Sequence, residues 1–259
     1  MKPYTAFLKK EFMEAIRTYR IMILAAVFLL MGMISPLTAK LLPELLPSLM
    51  GSMPEGGVTI TVPDPTAMDA YTQMFKNLTQ MGLIVLLFVF AGMLSGEIGK
   101  GTLINLLTKG LNRNTVILTK YFCSLLIWTA SSALMTGVST GYTWYLFPTD
   151  AAVPHLFLSV MCVWLFGAWL LSLILFSSAV ISGYIGGLAL PAFCFFALMF
   201  LDILPSLQPW NPIRLVTDNL ALLKEGPVVN TIMRPLAVTL LFTILNLFAG
   251  AGIFNRKPL

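Results

Sequence analysis

Residues 156–177 read LFLSVMCVWLFGAWLLSLILFS, a run of 22 positions without one charged side chain. An α-helix rises about 1.5 Å per residue, so a run of this length crosses the roughly 30 Å hydrocarbon core of a bilayer. The rest of the chain has the same character, since 58% of its residues are hydrophobic and only 10% are charged. Soluble domains carry about 25% charged residues. The sequence therefore predicts a membrane protein.

Five more apolar runs of comparable length lie on either side of this one. Together they predict an all-α polytopic membrane protein, with one transmembrane domain over residues 1–259 and six transmembrane helices. The predicted spans are residues 21–41, 78–95, 121–147, 156–177, 184–201 and 235–254. The turn between the fourth and fifth spans carries no charge, so its assignment depends on span length alone.

Residues 1–20 alternate polar and apolar side chains with the period of a helix. Phe7 belongs to the apolar face, whereas Lys10 and Arg17 belong to the polar face. Such an amphipathic helix lies in the interface of the membrane, where its basic side chains meet anionic lipid. Two interpretations stay open: a simple membrane-surface anchor, and an anchor that also contacts a cytoplasmic partner.

Lysine and arginine predict the orientation, because cytoplasmic loops of membrane proteins are enriched in both. With a cytoplasmic N-terminus, eleven of the sixteen basic residues fall on the cytoplasmic side. We therefore expect a multi-pass protein of the cell membrane with both termini in the cytoplasm. Residues 43–76 and 202–234 then become extracytoplasmic, and the second of these segments is too polar and proline-rich to cross lipid.

The predicted spans contain almost no ionisable residues, which restricts the possible classes of function. Proton-coupled transporters and intramembrane enzymes need buried acidic or basic groups. The single histidine, His155, borders the fourth span, and the cysteines Cys123, Cys162 and Cys194 lie far apart within apolar runs. The sequence also lacks a metalloprotease, phosphate-loop or nucleophile motif. We expect this chain to have no catalytic residue, no metal site and no bound cofactor, so it acts passively or obtains energy from a partner.

The segment GEIGKGTLINLLTKGLNRNTVILTK, residues 96–120, interrupts the apolar pattern with charged residues. Thr102 to Lys109 are predicted to form a short helix that starts after Gly101 and stops at Gly110 in a left-handed conformation. Its apolar stripe consists of Leu103, Leu106 and Leu107. On charge alone, an ordinary basic cytoplasmic loop explains this segment better than a docking element does.

The order of residues within this segment adds a more specific signal. The pattern is carried by Glu97, Lys100, Gly101, Thr102, Leu103, Leu106, Leu107, Thr108, Asn112, Arg113, Thr119 and Lys120. It closely resembles the signature E..KGTL..LL..P.SR......K of ABC-2-type transporter permeases, which also follows the second span. Gly110 and Leu111 stand where that family often has a proline. The amphipathic N-terminus, the six predicted spans and the chain length are similar to the same family over the whole chain.

The resemblance implies an ABC-2-type (type V) exporter fold and the role of a transmembrane permease subunit. Such permeases pair with a second permease copy or homologue and with two cytoplasmic ATP-binding cassette subunits. Their helix between the second and third spans, the coupling helix, inserts into a groove of the ATPase. Carried onto this chain, the ATPase-coupling residues are Glu97, Lys100, Gly101, Thr102, Leu103, Leu106, Leu107, Lys109, Arg113 and Lys120, with Phe7, Lys10 and Arg17 on the interfacial helix.

Several further expectations follow from the resemblance. ATP and Mg would bind to the partner ATPase, membrane lipid would surround the spans, and no nucleic-acid partner is expected. Glu97 is expected to pair with Lys100 or Lys120 and so to fix the end of the second span. The apolar spans favour an amphipathic cargo, such as a peptide antibiotic, a drug or a lipid-linked molecule. The alternative is a non-transporting membrane sensor or immunity protein that keeps the contact with the ATPase.

Overall fold

A computed structural model describes residues 3–50, 64–108, 110–149, 153–181, 183–225 and 229–257. Of these described residues, 85% are helical and none lies in a strand. Six helical segments are long and apolar enough to cross a membrane. The predicted all-α polytopic class with six spans is therefore confirmed.

The structure describes twelve α-helices along the chain. They are α1 (Pro3–Arg17), α2 (Arg20–Met50), α3 (Ala67–Asn77), α4 (Leu83–Phe90), α5 (Ser95–Gly99), α6 (Thr102–Leu107), α7 (Arg113–Leu146), α8 (Leu156–Val180), α9 (Tyr184–Leu201), α10 (Arg214–Thr217), α11 (Asn219–Glu225) and α12 (Val229–Arg256). A π-helical turn, Leu78–Gly82, joins α3 to α4, and a 3₁₀ turn, Gln208–Trp210, precedes α10. The spans are α2, the α3 to α5 segment, α7, α8, α9 and α12.

Several helices extend beyond the predicted spans, because polar flanking residues cap them. The Asp69 carboxylate accepts the backbone N–H of Thr66 at 2.9 Å, so α3 starts eleven residues before the predicted second span. The Asn112 side chain accepts the backbone N–H of Asn114 at 2.9 Å, so α7 starts at Arg113 instead of residue 121. Of the predicted 43–76 loop, residues 43–50 continue α2 and residues 67–76 belong to α3. These extensions are amphipathic, so their mean hydropathy does not distinguish them from loops.

Helix α8 lies at the centre of the bundle and contacts α7, α9 and α12. In the most apolar 18-residue stretch of α8, 78% of the residues are buried. In the corresponding stretches of α9 and α12 only 17% are buried, because the outer faces of these helices are exposed. The ring of Trp128 on α7 is fully buried and packs edge-on against Phe28 on α2, with the ring centroids 5.8 Å apart. Its indole N–H donates to the carbonyl oxygen of Trp164 at 3.0 Å. These contacts hold α2, α7 and α8 together.

Residues 202–225 form short helices and turns, as the sequence predicts for a segment that does not cross lipid. Irregular backbone of this kind needs hydrogen-bond partners from the protein. The buried Asn211 amide donates to the carbonyl oxygen of Leu198 at 2.8 Å, and Arg214 pairs with Asp202 at 3.3 Å. The exposed Trp210 ring lies beneath the guanidinium of Arg234, 5.2 Å away. The segment is thereby fastened to the end of α9 and to α12.

The helical path is interrupted at residues 91–94, between α4 and α5, where the start of α9 approaches very closely. Gly187 lies directly against the backbone of Ala91, with no room for a side chain. The Ser178 hydroxyl donates to the carbonyl oxygen of Ala91 at 3.4 Å. Gly183, with a φ of 92°, provides the left-handed residue that starts the turn into α9.

Candidate functional site

One end of the bundle collects most of the residues that the sequence analysis selected. Here α1, α5, α6, the first turns of α7, the first turn of α9 and the C-terminus of α12 meet, and we call it the basal end. Opposite it lie the end of α7 and the start of α8. The basal end therefore unites the N-terminal amphipathic helix with the segment 96–120.

Helix α1 lies against the bundle through a narrow stripe of buried side chains. Phe7, Glu11 and Ala15, spaced four residues apart, are 4%, 4% and 3% exposed. Apolar side chains on its other faces are exposed, among them Met13 and Ile16. The helix thus has a protein-facing stripe and an exposed apolar surface, which suits a position at a membrane interface.

Lys120 on α7 is the central charge of the basal end. Its side chain is fully buried, and its Nζ lies 2.8 and 3.0 Å from the two carboxylate oxygens of Glu11 on α1. The same Nζ lies 3.1 Å from Oε2 of Glu97 on α5, as an ion pair without the alignment of a hydrogen bond. The predicted pairing of Glu97 with Lys120 is therefore confirmed, whereas Lys100 is exposed and makes no such contact.

Lys10 on α1 extends this set of charges to five side chains. Its Nζ lies 3.0 Å from Glu11 and 2.7 Å from Glu14, and it also pairs with Glu97. We call Lys10, Glu11, Glu14, Glu97 and Lys120 the ion cluster. The ring of Phe7 lies beneath both ammonium groups, 5.4 Å from Lys10 and 6.0 Å from Lys120. The ion cluster fastens α1 to α5 and α7 at once.

The charges of the ion cluster depend on one another. Burial disfavours the charged form of Glu14, yet hydrogen bonds with Glu97 and Lys10 lower its pKa to about 2. Burial also opposes the charge on Lys10, but its hydrogen bonds to Glu14 and Glu97 raise its pKa above the usual value. The oxygens of Glu11, Glu14 and Glu97 come within 4.8 Å of one another, and the two lysine ammonium groups lie among them. The arrangement suits a structural role in which the ion pairs hold the helices together.

The predicted short helix of segment 96–120 is present as α6, which ends at Leu107 instead of Lys109. Gly110 has the predicted left-handed conformation, with a φ of 89°, and its N–H donates to the carbonyl oxygen of Leu107 at 3.0 Å. Thr102 is exposed, and its hydroxyl donates to the carbonyl oxygen of Glu97 at 3.3 Å. Leu103, however, is fully buried in the core of this chain, and Leu107 packs partly against the same core. The side chain of Leu106, and Lys109 as a whole, lie outside the described residues. The outward surface of α5 and α6 includes the exposed residues Gly99, Lys100 and Thr102.

Arg113 lies at the start of α7, where it binds the C-terminus of α12. Its Nη1 donates to the carbonyl oxygens of Phe254 at 2.7 Å, Asn255 at 3.1 Å and Lys257 at 2.7 Å. Its guanidinium also lies 5.7 Å from the centre of the Phe254 ring. The last carbonyl groups of a helix have no partner within the helix and carry partial negative charge, so a cation satisfies them. The structure gives Arg113 this capping contact.

We expect Arg113→Met to lower the free energy of unfolding by about 1 to 2 kcal/mol, because the last carbonyls of α12 lose a charged donor. The matched control is Arg256→Met, which removes an exposed arginine from the same end of the bundle. Thermal unfolding in detergent, followed by circular dichroism, measures both variants. Equal stability of the two variants would contradict the capping role.

Arg17, the third residue predicted on the interfacial helix, is exposed and lies outside the ion cluster. The sequence pattern did not indicate Glu11 as a partner of Lys120 or Glu14 as a partner of Lys10. Glu11 shares one helical stripe with Phe7 and Ala15, but the sequence does not indicate that this stripe faces the bundle. A buried carboxylate needs a charged or hydrogen-bonding partner. For Glu11 this partner is Lys120, near the start of α7.

A scan against protein-family models gives no match, and a search among curated proteins returns no significant match. The functional interpretation consequently depends on the architecture and on the basal end. Six apolar spans joined by short helices make this chain a multi-pass membrane protein with a transport-like architecture.

Proposed function

We propose that this chain is the transmembrane permease subunit of an ATP-binding cassette exporter. In this proposal it works beside a second permease copy or homologue and two ATPase subunits, which bind ATP and Mg and hydrolyse the nucleotide. The basal end lies in the cytoplasm, and the chain itself catalyses no reaction. The ABC-2-type resemblance of segment 96–120 supplies the partner class, and the ion cluster supplies the physical argument.

The ion cluster is the observation that carries the proposal. A partner that displaces α5 and α6 must also displace α1 and the base of α7, because Glu97, Glu11 and Lys120 join these elements. Breaking this connection would leave a buried charge unpaired, which costs about 3 to 5 kcal/mol. Movement of the three elements as one unit is therefore favoured. Displacement of α5 and α6 by a partner at the basal end would therefore also displace the α7 span, as a rigid body.

The docking surface proposed for the ATPase is the outward side of α5 and α6. Gly99, Lys100 and Thr102 are exposed there. Leu103, on the opposite side of α6, is buried in the hydrophobic core. Exposed charges at the rim of such an interface set orientation more than affinity. The exposed apolar side of α1 lies against lipid in this arrangement. An amphipathic cargo remains the favoured class, because the exposed faces of the spans are apolar.

A bulky residue at the docking surface tests the proposal without disturbing the fold. A Cβ at Gly99 would meet no atom within 4 Å, and the same holds for Gly252 on α12, so at both positions a side chain starts into open space. The chain is co-expressed with a candidate ATP-binding cassette subunit, which the proposal predicts to be encoded in a neighbouring reading frame. Co-purification and ATP hydrolysis are measured for Gly99→Trp and for the matched control Gly252→Trp.

We expect the unaltered chain to co-purify with the ATPase and to change its rate of hydrolysis. Gly99→Trp should weaken the complex by about tenfold or more, since a large side chain occupies a central contact of the interface. Gly252→Trp should leave the complex unchanged. The proposal fails if no ATPase co-purifies with the unaltered chain. The docking surface alone is wrong if both tryptophan variants bind the ATPase equally well.

A further inference from the structure

A cavity of about 650 Å³ opens at the basal end, beside the ion cluster but separate from it. It lies between the start of α2, the α4 to α5 segment and the start of α9. Ile23, Phe88 and Val89 form an apolar wall, and Arg20 and Lys100 stand at the charged edge. The volume lies within the range of about 300 to 1,000 Å³ that is typical of small-molecule sites.

The two cations of this cavity have no partner within the described chain. Neither the guanidinium of Arg20 nor the ammonium group of Lys100 makes a hydrogen bond or an ion pair with a described residue. The nearby carboxylates of Glu14 and Glu97 are already engaged by Lys10 and Lys120. Two positive charges at the edge of one cavity therefore remain available for an anion. Like charges so placed are stabilised by a shared anionic ligand.

The floor of the cavity is bare backbone. Gly92 and Gly96 both line it, the N–H of Gly96 donates to the carbonyl oxygen of Gly92 at 3.0 Å, and a Cβ at Gly96 would meet no atom within 4 Å. Gly92 instead packs against the ring of Tyr184, whose hydroxyl donates to the carbonyl oxygen of Phe88 at 2.8 Å. Tyr184 thus closes one side of the cavity, and Gly96 leaves the space beside the two cations open.

We propose that this cavity binds one anionic phospholipid, with its phosphate between Arg20 and Lys100 and one acyl chain along Ile23 and Phe88. A soluble anion would use the cations but not the apolar wall, whose Ile23 and Phe88 are exposed in the bundle. A neutral lipid would use the wall but leave both cations unpaired. Only an amphiphile with an anionic headgroup pairs with the two cations and also covers the apolar wall. The cytoplasmic leaflet of a membrane contains such lipids. The bound lipid joins α2 to α5 and α9.

The test uses the purified chain without an ATPase, so its outcome is independent of the proposed function. Mixed detergent micelles contain equal amounts of phosphatidylglycerol and phosphatidylcholine, and native mass spectrometry counts the lipids that stay bound. The unaltered chain should retain one phosphatidylglycerol in preference to phosphatidylcholine. Arg20→Gln with Lys100→Gln should weaken this binding by about 30-fold, as expected for two membrane-proximal cations.

Two matched controls separate the cavity from general surface charge. Lys9→Gln with Arg17→Gln removes the same charge from exposed positions of α1 and should retain the lipid. Gly96→Trp keeps both cations but fills the cavity and should lose the lipid, whereas Gly99→Trp, outside the cavity, should keep it.

Three outcomes would overturn the inference. The first is equal loss of phosphatidylglycerol in the Arg20/Lys100 and Lys9/Arg17 pairs, which would mean unspecific attraction to the basic surface. The second is unchanged lipid binding by Gly96→Trp. The third is displacement of the lipid by an equal concentration of glycerol phosphate, which would make the headgroup alone the ligand. Folding of every variant is checked by circular dichroism and size-exclusion chromatography.

Discussion

Replacing Lys120 by methionine is expected to lower the free energy of unfolding by about 3 to 5 kcal/mol, which is a large fraction of the stability of a typical domain. Methionine keeps most of the length of the side chain but removes the ammonium group that lies between Glu11 and Glu97. Both carboxylates would stay in a site from which water is excluded, and Lys10 alone cannot neutralise them together with Glu14. Burial of unpaired charge is among the most destabilising changes known in proteins.

The native cysteines allow local and global unfolding to be distinguished. Cys123, one turn after Lys120, and Cys162, on the central helix α8, are 4% and 2% exposed. In single-cysteine versions of the chain, a thiol-reactive dye reports the exposure of each thiol during heating. We expect Lys120→Met to expose Cys123 at lower temperature than Cys162, because the contact between α1 and α7 opens first. The matched control, Lys9→Met, changes an exposed lysine on α1 and should alter neither transition.

A double substitution tests whether charge pairing is the cause. In the ion cluster three carboxylates face two lysines, and Lys120→Met makes the excess of negative charge larger by one. Adding Glu11→Met restores the original excess, so at least half of the lost stability should return. If the double variant is as unstable as the sum of the two single variants, the residues act independently and the ion cluster is not a unit.

The fold class could be predicted from the sequence because a membrane imposes a simple requirement on helix length and polarity. Residues 156–177 satisfy it without further information, and they form most of α8. The ends of the spans could not be predicted in the same way. Asp69 and Asn112 start α3 and α7 with local hydrogen bonds, and a hydropathy average over many residues does not respond to single caps.

The candidate site was predictable only in part, because its contacts join residues far apart in the sequence. The pairing of Glu97 with Lys120 could be inferred, since both lie at the ends of neighbouring spans. Glu11 could not be ranked above the other polar residues of α1 until the rotation of that helix was known. The same rotation turns Phe7 inward and leaves Ile16 exposed, although both belong to the apolar side of the sequence pattern.

Replacing Gly187 by alanine is the second change with a large expected effect. A Cβ at this position would lie 1.8 Å from the carbonyl oxygen of Ala91, whereas such contacts in proteins stay at 3.0 Å or more. The obstacle is backbone, which cannot rotate away, so α9 and the interrupted segment at residues 91–94 must separate by about 1.2 Å. We expect a loss of about 3 kcal/mol in the free energy of unfolding, at the upper end of the usual cost of overpacking.

The matched control for Gly187→Ala is Gly137→Ala on α7. Both glycines lie inside long helices, but a side chain at Gly137 meets no atom within 4 Å. There the alanine should raise stability by about 0.5 to 1 kcal/mol, because it restricts the unfolded chain and favours the helix. If both substitutions change the free energy of unfolding only slightly, Gly187 of α9 is not packed against the Ala91 backbone as the structure describes. Opposite signs would mean that Gly187 is needed for contact with its neighbour and not for flexibility of α9. Because Cys194 is partly exposed and Cys162 is buried, each thiol is compared with the same thiol of the unaltered chain. Faster labelling of Cys194 on α9 in the Gly187→Ala chain, with labelling of Cys162 on α8 unchanged, would identify α9 as the helix that moves.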